Sequence, residues 1–230
     1  FVAFRTLHLV CALSLVFLVG CASNDEAFIL DVQPMAPATT PASGEGSGED
    51  SAAGSEEPSK EEPVLIAVVK PFEDARSETG RVGVHTHRGG SESSIYFLDG
   101  EPSEVVTRLM TDYLNHSGWR ARALQPHEMD GVTTGDGTDV IMGGKVLVLT
   151  VDIKRSYGFT HIKVLTKTLV EARNIADDSV LRMTVDSAGN QTVIWFETED
   201  AQQLVSEALT ESFGQFLADT KVQGNLLGLK

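Results

Sequence analysis

The stretch His161-Ile162-Lys163-Val164-Leu165-Thr166-Lys167-Thr168-Leu169-Val170-Glu171 alternates apolar and polar residues. Side chains two apart share one face of an extended strand, so Ile162, Val164 and Val170 fall on one side and Lys163, Lys167 and Glu171 on the other. Leu165 and Leu169 blur the polar side. Such a pattern reads as a half-buried antiparallel strand with a core on one face and solvent on the other. Upstream, Val140 to Ile153 is a longer strand pattern interrupted at Gly143-Gly144, where a bulge or a close backbone approach is expected. Downstream, Val180 to Val185 and Val193 to Phe196 continue the meander, entered through an Asp177-Asp178 turn and joined by Ser187-Ala188-Gly189-Asn190.

Two segments carry the helical period instead. From Pro102, Val105, Val106, Leu109, Met110, Tyr113 and Leu114 form one stripe, Glu104, Arg108 and Asp112 line the other side as i,i+4 pairs, and Gly118 supplies the stop. From about Asp200 to Ala218, a second helix buries Ala201, Leu204, Val205, Ala208, Leu209, Phe213, Phe216 and Leu217. Val64-Leu65-Ile66-Ala67-Val68-Val69 is a continuous apolar run of strand length, suited to a central strand. Short strands are expected at Val82-Gly83-Val84 and Ile95-Tyr96-Phe97-Leu98 around a Gly89-Gly90 turn, in the least ordered part of the domain, and at Trp119 to Leu124. Two amphipathic helices must then share one sheet, which predicts an α+β fold: a two-layer domain with a mostly antiparallel sheet.

The 230 residues suffice for one such domain, and 18 basic against 33 acidic residues give a net charge of −15. That balance argues against an electrostatic footprint for nucleic acid or for anionic lipid headgroups, and so against polyanionic partners. The two cysteines, Cys11 and Cys21, lie in the first tenth of the chain, which excludes a disulfide framework beyond them.

Residues 7 to 20 are uncharged and mostly apolar behind Arg5, and are followed at once by Asn24-Asp25-Glu26. The run is shorter than the ~20 residues a bilayer span needs, so residues 1–20 read as an export signal. It ends in Leu18, Val19, Gly20 and Cys21, which resembles a bacterial lipobox, with Cys21 as the lipidation site that becomes the new N-terminus. The resemblance implies thioether lipidation with acyl chains such as palmitate. Ala22 stands where an Asp would resemble an inner-membrane retention signal, so an outer-membrane location facing the periplasm is expected.

Residues 21–62 read as a lipidated, acidic, disordered linker. From Asp31 to Glu62 there is no aromatic residue, and residues 22 to 62 hold ten acids and one Lys, leaving −7 for the domain at 63–230. A coil of ~40 such residues averages roughly 35 Å end to end and stretches to about 130 Å, enough to hold a domain well off a membrane.

Chemistry is sparse. His85 and His87 alternate by two and would share a strand face, the only candidate metal pair, with His127, Glu128 and Asp130 a looser cluster. Exposed loop histidines are the favoured reading, and no metal site or cofactor is expected. Gly143-Gly144-Lys145 lacks the remaining residues of a phosphate loop and reads as a kinked strand. Asp130, Asp136 and Asp139 lack calcium-loop register and read as turn chemistry. Asp74 and Arg76 read as a structural ion pair, and Tyr96, Phe97 and Trp119 as core. No catalytic residue is assigned and no enzymatic activity is expected.

The strand 64–69, then Lys70-Pro71-Phe72-Glu73-Asp74-Ala75-Arg76, Gly83, a Pro-started helix ending in Gly118-Trp119, and Asp139 to Gly143 opening a long strand make a pattern. It resembles the YajG-like uncharacterised lipoproteins. More distantly it is similar to the auxiliary lipoproteins of ABC-type lipid transporters and the LpoB/CsgG/TolB N-terminal group. The first resemblance implies an outer-membrane lipoprotein without an assigned reaction; the others imply adaptor or accessory work. The expected function is a membrane-anchored periplasmic lipoprotein that binds an envelope protein in assembly or transport. The rivals are a surface-exposed structural or adhesive lipoprotein and a periplasmic hydrolase using His85, His87 and Asp74.

Overall fold

The structure is a computed structural model that describes residues 27–35, 64–124 and 137–230. In chain order its elements are β1 (Phe28–Leu30), β2 (Ile66–Val69), β3 (Glu73–Asp74), β4 (Gly83–Thr86), β5 (Glu92–Phe97), α1 (Pro102–His116) and β6 (Arg120–Ala123). They continue with β7 (Val140–Arg155), β8 (Thr160–Asn174), β9 (Val180–Val193), α2 (Thr198–Asp219), β10 (Thr220–Gln223) and β11 (Leu226–Leu229).

The alternating stretch becomes β8, with Ile162, Val164, Thr166, Thr168, Val170 and Ala172 buried and Lys163 and Lys167 exposed. A slip of one residue would put both lysines in the core, so the side-chain period fixes the register. β8 lies antiparallel to β7 from Arg155↔Thr160 to Val140↔Asn174, and antiparallel to β9 from Thr160↔Val193 to Arg173↔Val180. Along its other edge β7 takes three parallel partners in succession: β2 opposite 140–142, β3 opposite 145–146 and β4 opposite 151–154. β6 extends the sheet parallel to β2, β5 pairs antiparallel with β4, and β1 pairs parallel with β5.

The α+β class holds, but the sheet is mixed. Its long ladders are antiparallel, whereas most pairings of the short strands are parallel. A return connection through α1 sends β6 alongside β2 in the same direction, as a crossover requires.

The predicted stripe of α1 is buried throughout. Pro102 occupies its first turn, and Trp119 N–H donates to the Leu114 carbonyl at 3.0 Å across Gly118, whose φ is +87°. The predicted i,i+4 charge pairs do not form. Glu104 accepts the Glu101 amide at 3.2 Å, while Arg108 reaches Asp99 and the Val32 carbonyl, each at 3.0 Å. α2 buries the predicted residues except Leu217, which is partly covered, and its Phe213 ring meets Tyr113 of α1 at 5.9 Å.

Ser187-Ala188-Gly189-Asn190 is not a turn but the middle of β9. A Cβ at Gly189 would meet Leu204 Cδ1 at 2.7 Å, and Ser187 Oγ donates to Glu211. These small residues set how closely α2 can lie on the sheet. The stretch from Pro71 to Asp99, expected to be the least ordered, holds β3 and the regular β4–β5 hairpin. The β10–β11 hairpin went unread, although Gly224-Asn225 is a two-residue turn signal.

The largest correction concerns the N-terminal side. Phe28–Leu30, assigned to the linker, is a strand of the sheet, with Phe28↔Ile95 and Leu30↔Phe97 in register and Leu30 buried. Apolar Phe28-Ile29-Leu30 has a core to enter, and the β5 edge supplies its hydrogen-bond partners. The acidic segment 36–63, outside the described residues, therefore connects β1 to β2. It does not stand between Cys21 and the domain.

Candidate functional site

Three connections meet at one end of the sheet: the β4–β5 turn, the β7–β8 turn and the β9–α2 link. The β4–β5 turn closes through His87 N–H to the Ser91 carbonyl at 2.8 Å and Gly90 N–H to the His87 carbonyl at 2.9 Å, with Gly90 at φ +83°. The β7–β8 turn closes through Ser156 N–H to the Phe159 carbonyl at 2.9 Å, with Gly158 at φ +82°. Between the three lies a concavity of about 770 Å³, within the size range of ligand clefts.

Its walls set the aromatic Phe159, Trp195 and Phe196 beside His87 and two cations, Arg88 and Arg155, with Glu197 the one lining acid. Arg88 stacks on the rim residue Tyr157, its Cζ 3.7 Å from the ring centroid, a cation–π contact. His87 Nε2 shares a hydrogen bond with Ser93 Oγ at 2.7 Å.

Behind this wall sits His85, only 5 % exposed, with ring centroids of Phe28, Phe196 and His87 at 5.3, 5.5 and 4.3 Å. Neither of its ring nitrogens has a hydrogen-bond partner. Burial, seconded by the charges of His87 and Arg155, depresses its pKa from 6.5 to about 4. The folded protein therefore keeps this ring neutral while the unfolded chain protonates near pH 6.5, so stability falls as pH drops from 6.5 towards 4. Between pH 7 and 5 the loss from this group is about 2 kcal/mol. His85→Leu is expected to abolish that loss and to be more stable than the parent at pH 5, as read by urea titration at both pH values.

The same-face placement of His85 and His87 agrees with the alternation. No group of three His, Cys, Asp or Glu side chains among the described residues is placed to hold a metal ion. Asp74 does not join them: it pairs opposite Val146, whereas His85 pairs opposite Ile153, seven residues along β7 and so about 23 Å away. Asp74 and Arg76 instead form the predicted structural pair, with Asp74 Oδ1 to Arg76 Nε and Asp74 Oδ2 to Arg76 Nη2 both at 2.9 Å. The guanidinium also donates to the carbonyls of Arg81 at 3.0 Å, Leu149 at 3.2 Å and Thr79 at 3.4 Å. Hydrogen bonding from Arg76 holds the Asp74 carboxyl below the usual carboxylate range.

Lys145 of the glycine pair's strand binds Glu73 at 2.7 Å. Gly144 makes the expected close approach, since a Cβ there would run into the Leu169 carbonyl, while the bulge lies at Leu147, between the paired Val146 and Val148. Asp139 accepts from Ile66 N–H at 2.9 Å and Asn225 Nδ2 at 2.7 Å, pinning the chain just before β7. Cys21, Leu18, Val19, Gly20, His127, Glu128, Asp130 and Asp136 lie outside the described residues.

Phe97 and Trp119 pack on the core, but Tyr96 does not: it is 40 % exposed. Tyr157 and Phe159 carry no expectation from the sequence, and Ile194 and Trp195, expected in a strand from Val193 to Phe196, lie past the end of β9. Their signal was present as aromatics flanking Gly158 and as Ile194-Trp195-Phe196, an apolar triplet without alternation.

No family model matches the chain, and no curated protein matches its sequence, so the YajG-like resemblance is not carried by a family match. Among solved structures, the fold is similar to a Xanthomonas campestris protein of family DUF330, at 9 % identity and a TM-score of 0.48 over 83 % of this chain and 91 % of that one. It is also similar to lipoprotein GNA1162 of Neisseria meningitidis, at 9 % identity and a TM-score of 0.34 over 67 % of this chain and 99 % of that one. A third is PelC from Paraburkholderia phytofirmans, a dodecamer, at 12 % identity and a TM-score of 0.36 over 64 % and 86 %.

Proposed function

We propose that this chain is an envelope lipoprotein, processed after Gly20, acylated at Cys21 and held at the periplasmic face of the outer membrane. Its domain acts by contact, as an adaptor or accessory component of envelope assembly or transport. The observation that carries this reading is Leu18-Val19-Gly20-Cys21 ending an apolar run, with a strand built into the domain's own sheet only seven residues later, at Phe28. Acyl chains contribute ~0.8 kcal/mol per buried methylene, and two or three of them make a stable anchor. No helix among the described residues is long and apolar enough to cross a membrane. A contact role suits the domain better than turnover, for which His85, His87 and Asp74 would have to converge, whereas Asp74 and His85 pair seven residues apart along β7.

Intact-mass measurement of the protein recovered from membranes is expected to give an N-terminus at Cys21 carrying a diacylglyceryl group and an amide-linked acyl chain. An unmodified thiol, or a mature end elsewhere, overturns the anchor. The contact role is tested by photocrosslinkers in cells at Tyr96 and Leu98, which are 40 and 58 % exposed on and just beyond β5. One and the same envelope protein is expected from both positions; no protein adduct in any growth condition overturns the adaptor role.

A further inference from the structure

The three most exposed large apolar side chains among the described residues are Trp195 (86 %), Tyr157 (75 %) and Ile194 (74 %). All three stand on the connections that surround the cleft, together with half-exposed Phe159. Water-facing aromatic and branched side chains grouped on turn tips mark a surface that is covered in use.

The path of the chain indicates what covers it. Phe28 opens β1 with its ring 5.8 Å from Phe196 of the cleft wall. β1 runs parallel to β5, which leads away from the β4–β5 turn, so β1 also leads away from the cleft. The residues before Phe28 are thus joined to the domain at the cleft pole. Six peptide steps separate Cys21 from Ala27, a span of at most about 20 Å even when fully extended. An acylated Cys21 sits in a bilayer, so this pole cannot stand farther from that bilayer than the leash allows.

The chemistry of the pole agrees. Trp and Tyr rings prefer the headgroup level of a bilayer, and arginines beside them meet phosphates. Arg88 and Arg155 lie here against a single cleft acid, Glu197, in a chain whose net charge is −15. Glu92, which opens β5, and Asp25 and Glu26 of the leash offset that pair, so the aromatic and branched side chains carry the docking and the two arginines meet phosphates at its rim.

We infer that the pole bearing Tyr157, Ile194 and Trp195 is a bilayer-docking face, pressed into the headgroup region of the membrane that holds Cys21. This rests on acylation of Cys21. The domain then lies on its membrane by a short leash, with β9 and both helices extending away from it.

The test uses the full acylated chain in phosphatidylethanolamine/phosphatidylglycerol vesicles, some with bromines near the top of the acyl chains. Trp119→Phe leaves Trp195 as the fluorophore, and Trp195→Phe gives the background. Expected is a blue-shifted Trp195 emission, at least twofold quenched by shallow bromines and shielded from aqueous iodide. Adding Tyr157→Ser and Ile194→Ser is expected to cut that quenching by half or more without releasing the chain from vesicles. Unshifted emission, with Trp195 fully open to iodide, overturns the inference. So does photocrosslinking at Ile194 in cells that gives protein adducts and no lipid adduct, since a protein would then be the cover. Intact mass on the same preparation separates the two failures. An acylated chain with an exposed Trp195 refutes docking alone, whereas an unmodified Cys21 refutes the anchor and docking with it.

Discussion

Gly83→Ala is expected to lower stability by at least about 3 kcal/mol, a fall in Tm of roughly 6 °C or more for a protein of this size. Gly83 pairs with Ile95 on one side and Val151 on the other. A Cβ there would fall on the Val151 carbonyl oxygen, with Val151 C at 2.6 Å and Val151 N at 2.9 Å. All three are backbone atoms of the central strand, so no rotamer change relieves the overlap, and β4 must part from β7. β5 and β1 reach the sheet only through β4, so the whole arm leaves with it. Limited proteolysis should accordingly cut within residues 76–100 of the variant. Gly80→Ala is the control: nothing lies within 4 Å of the added Cβ, and the change should stay within about 0.5 kcal/mol. A Gly83→Ala protein as stable as the parent would mean that the β4–β7 pairing is not what holds this arm.

Elements whose stability comes from their own periodicity were legible. The alternation of 161–171 and the stripe of Val105, Val106, Leu109, Met110, Tyr113 and Leu114 each specify which face is buried before any partner is known. Direction was not legible, because a strand reads the same whether its neighbour runs parallel or antiparallel; the long β7 accepts both. Composition misled where a residue serves a distant neighbour. Gly189 looks like a turn glycine, but its bare Cα makes room for Leu204 fifteen residues on. Phe28-Ile29-Leu30 is too short to carry a signal against the acidic residues around it, and its partner Ile95 is far along the chain.

The same limits applied to the site. Arg88 and Trp195 stand on two different connections and Arg155 ends β7, and only the closing of two hairpins and the β9–α2 link brings them together. Binding surfaces made of loop tips have no spacing to read. The proposed anchor, by contrast, rests on a local motif, Leu18 to Cys21, whose reading needs no fold. What the fold adds is distance: with β1 in the sheet, the leash shrinks from a ~40-residue coil to six peptide steps.

Arg76→Ala should cost about 3–5 kcal/mol, the range for removing one partner of a buried ion pair. The Arg76 side chain is 5 % exposed and Asp74's 16 %, so the orphaned carboxylate gains little water in exchange. The carbonyls of Arg81, Leu149 and Thr79 lose their donor at the same time, which loosens the loop from β3 to β4 where it crosses β7. Arg76→Lys should rescue little of this, because a single ammonium cannot span both carboxylate oxygens and those carbonyls. Two further readouts separate the pair from mere loss of packing. In the parent, the depressed Asp74 pKa adds stability that is present above pH 3.8 and lost as pH falls through the folded value, so Arg76→Ala should flatten the acid limb of the stability curve. Asp74→Asn with Arg76→Ala should also be less destabilised than the two single variants summed, with a coupling of at least about 1 kcal/mol by urea titration. Additive effects, or an unchanged acid limb, would assign Arg76 to packing and its carbonyl bonds rather than to Asp74.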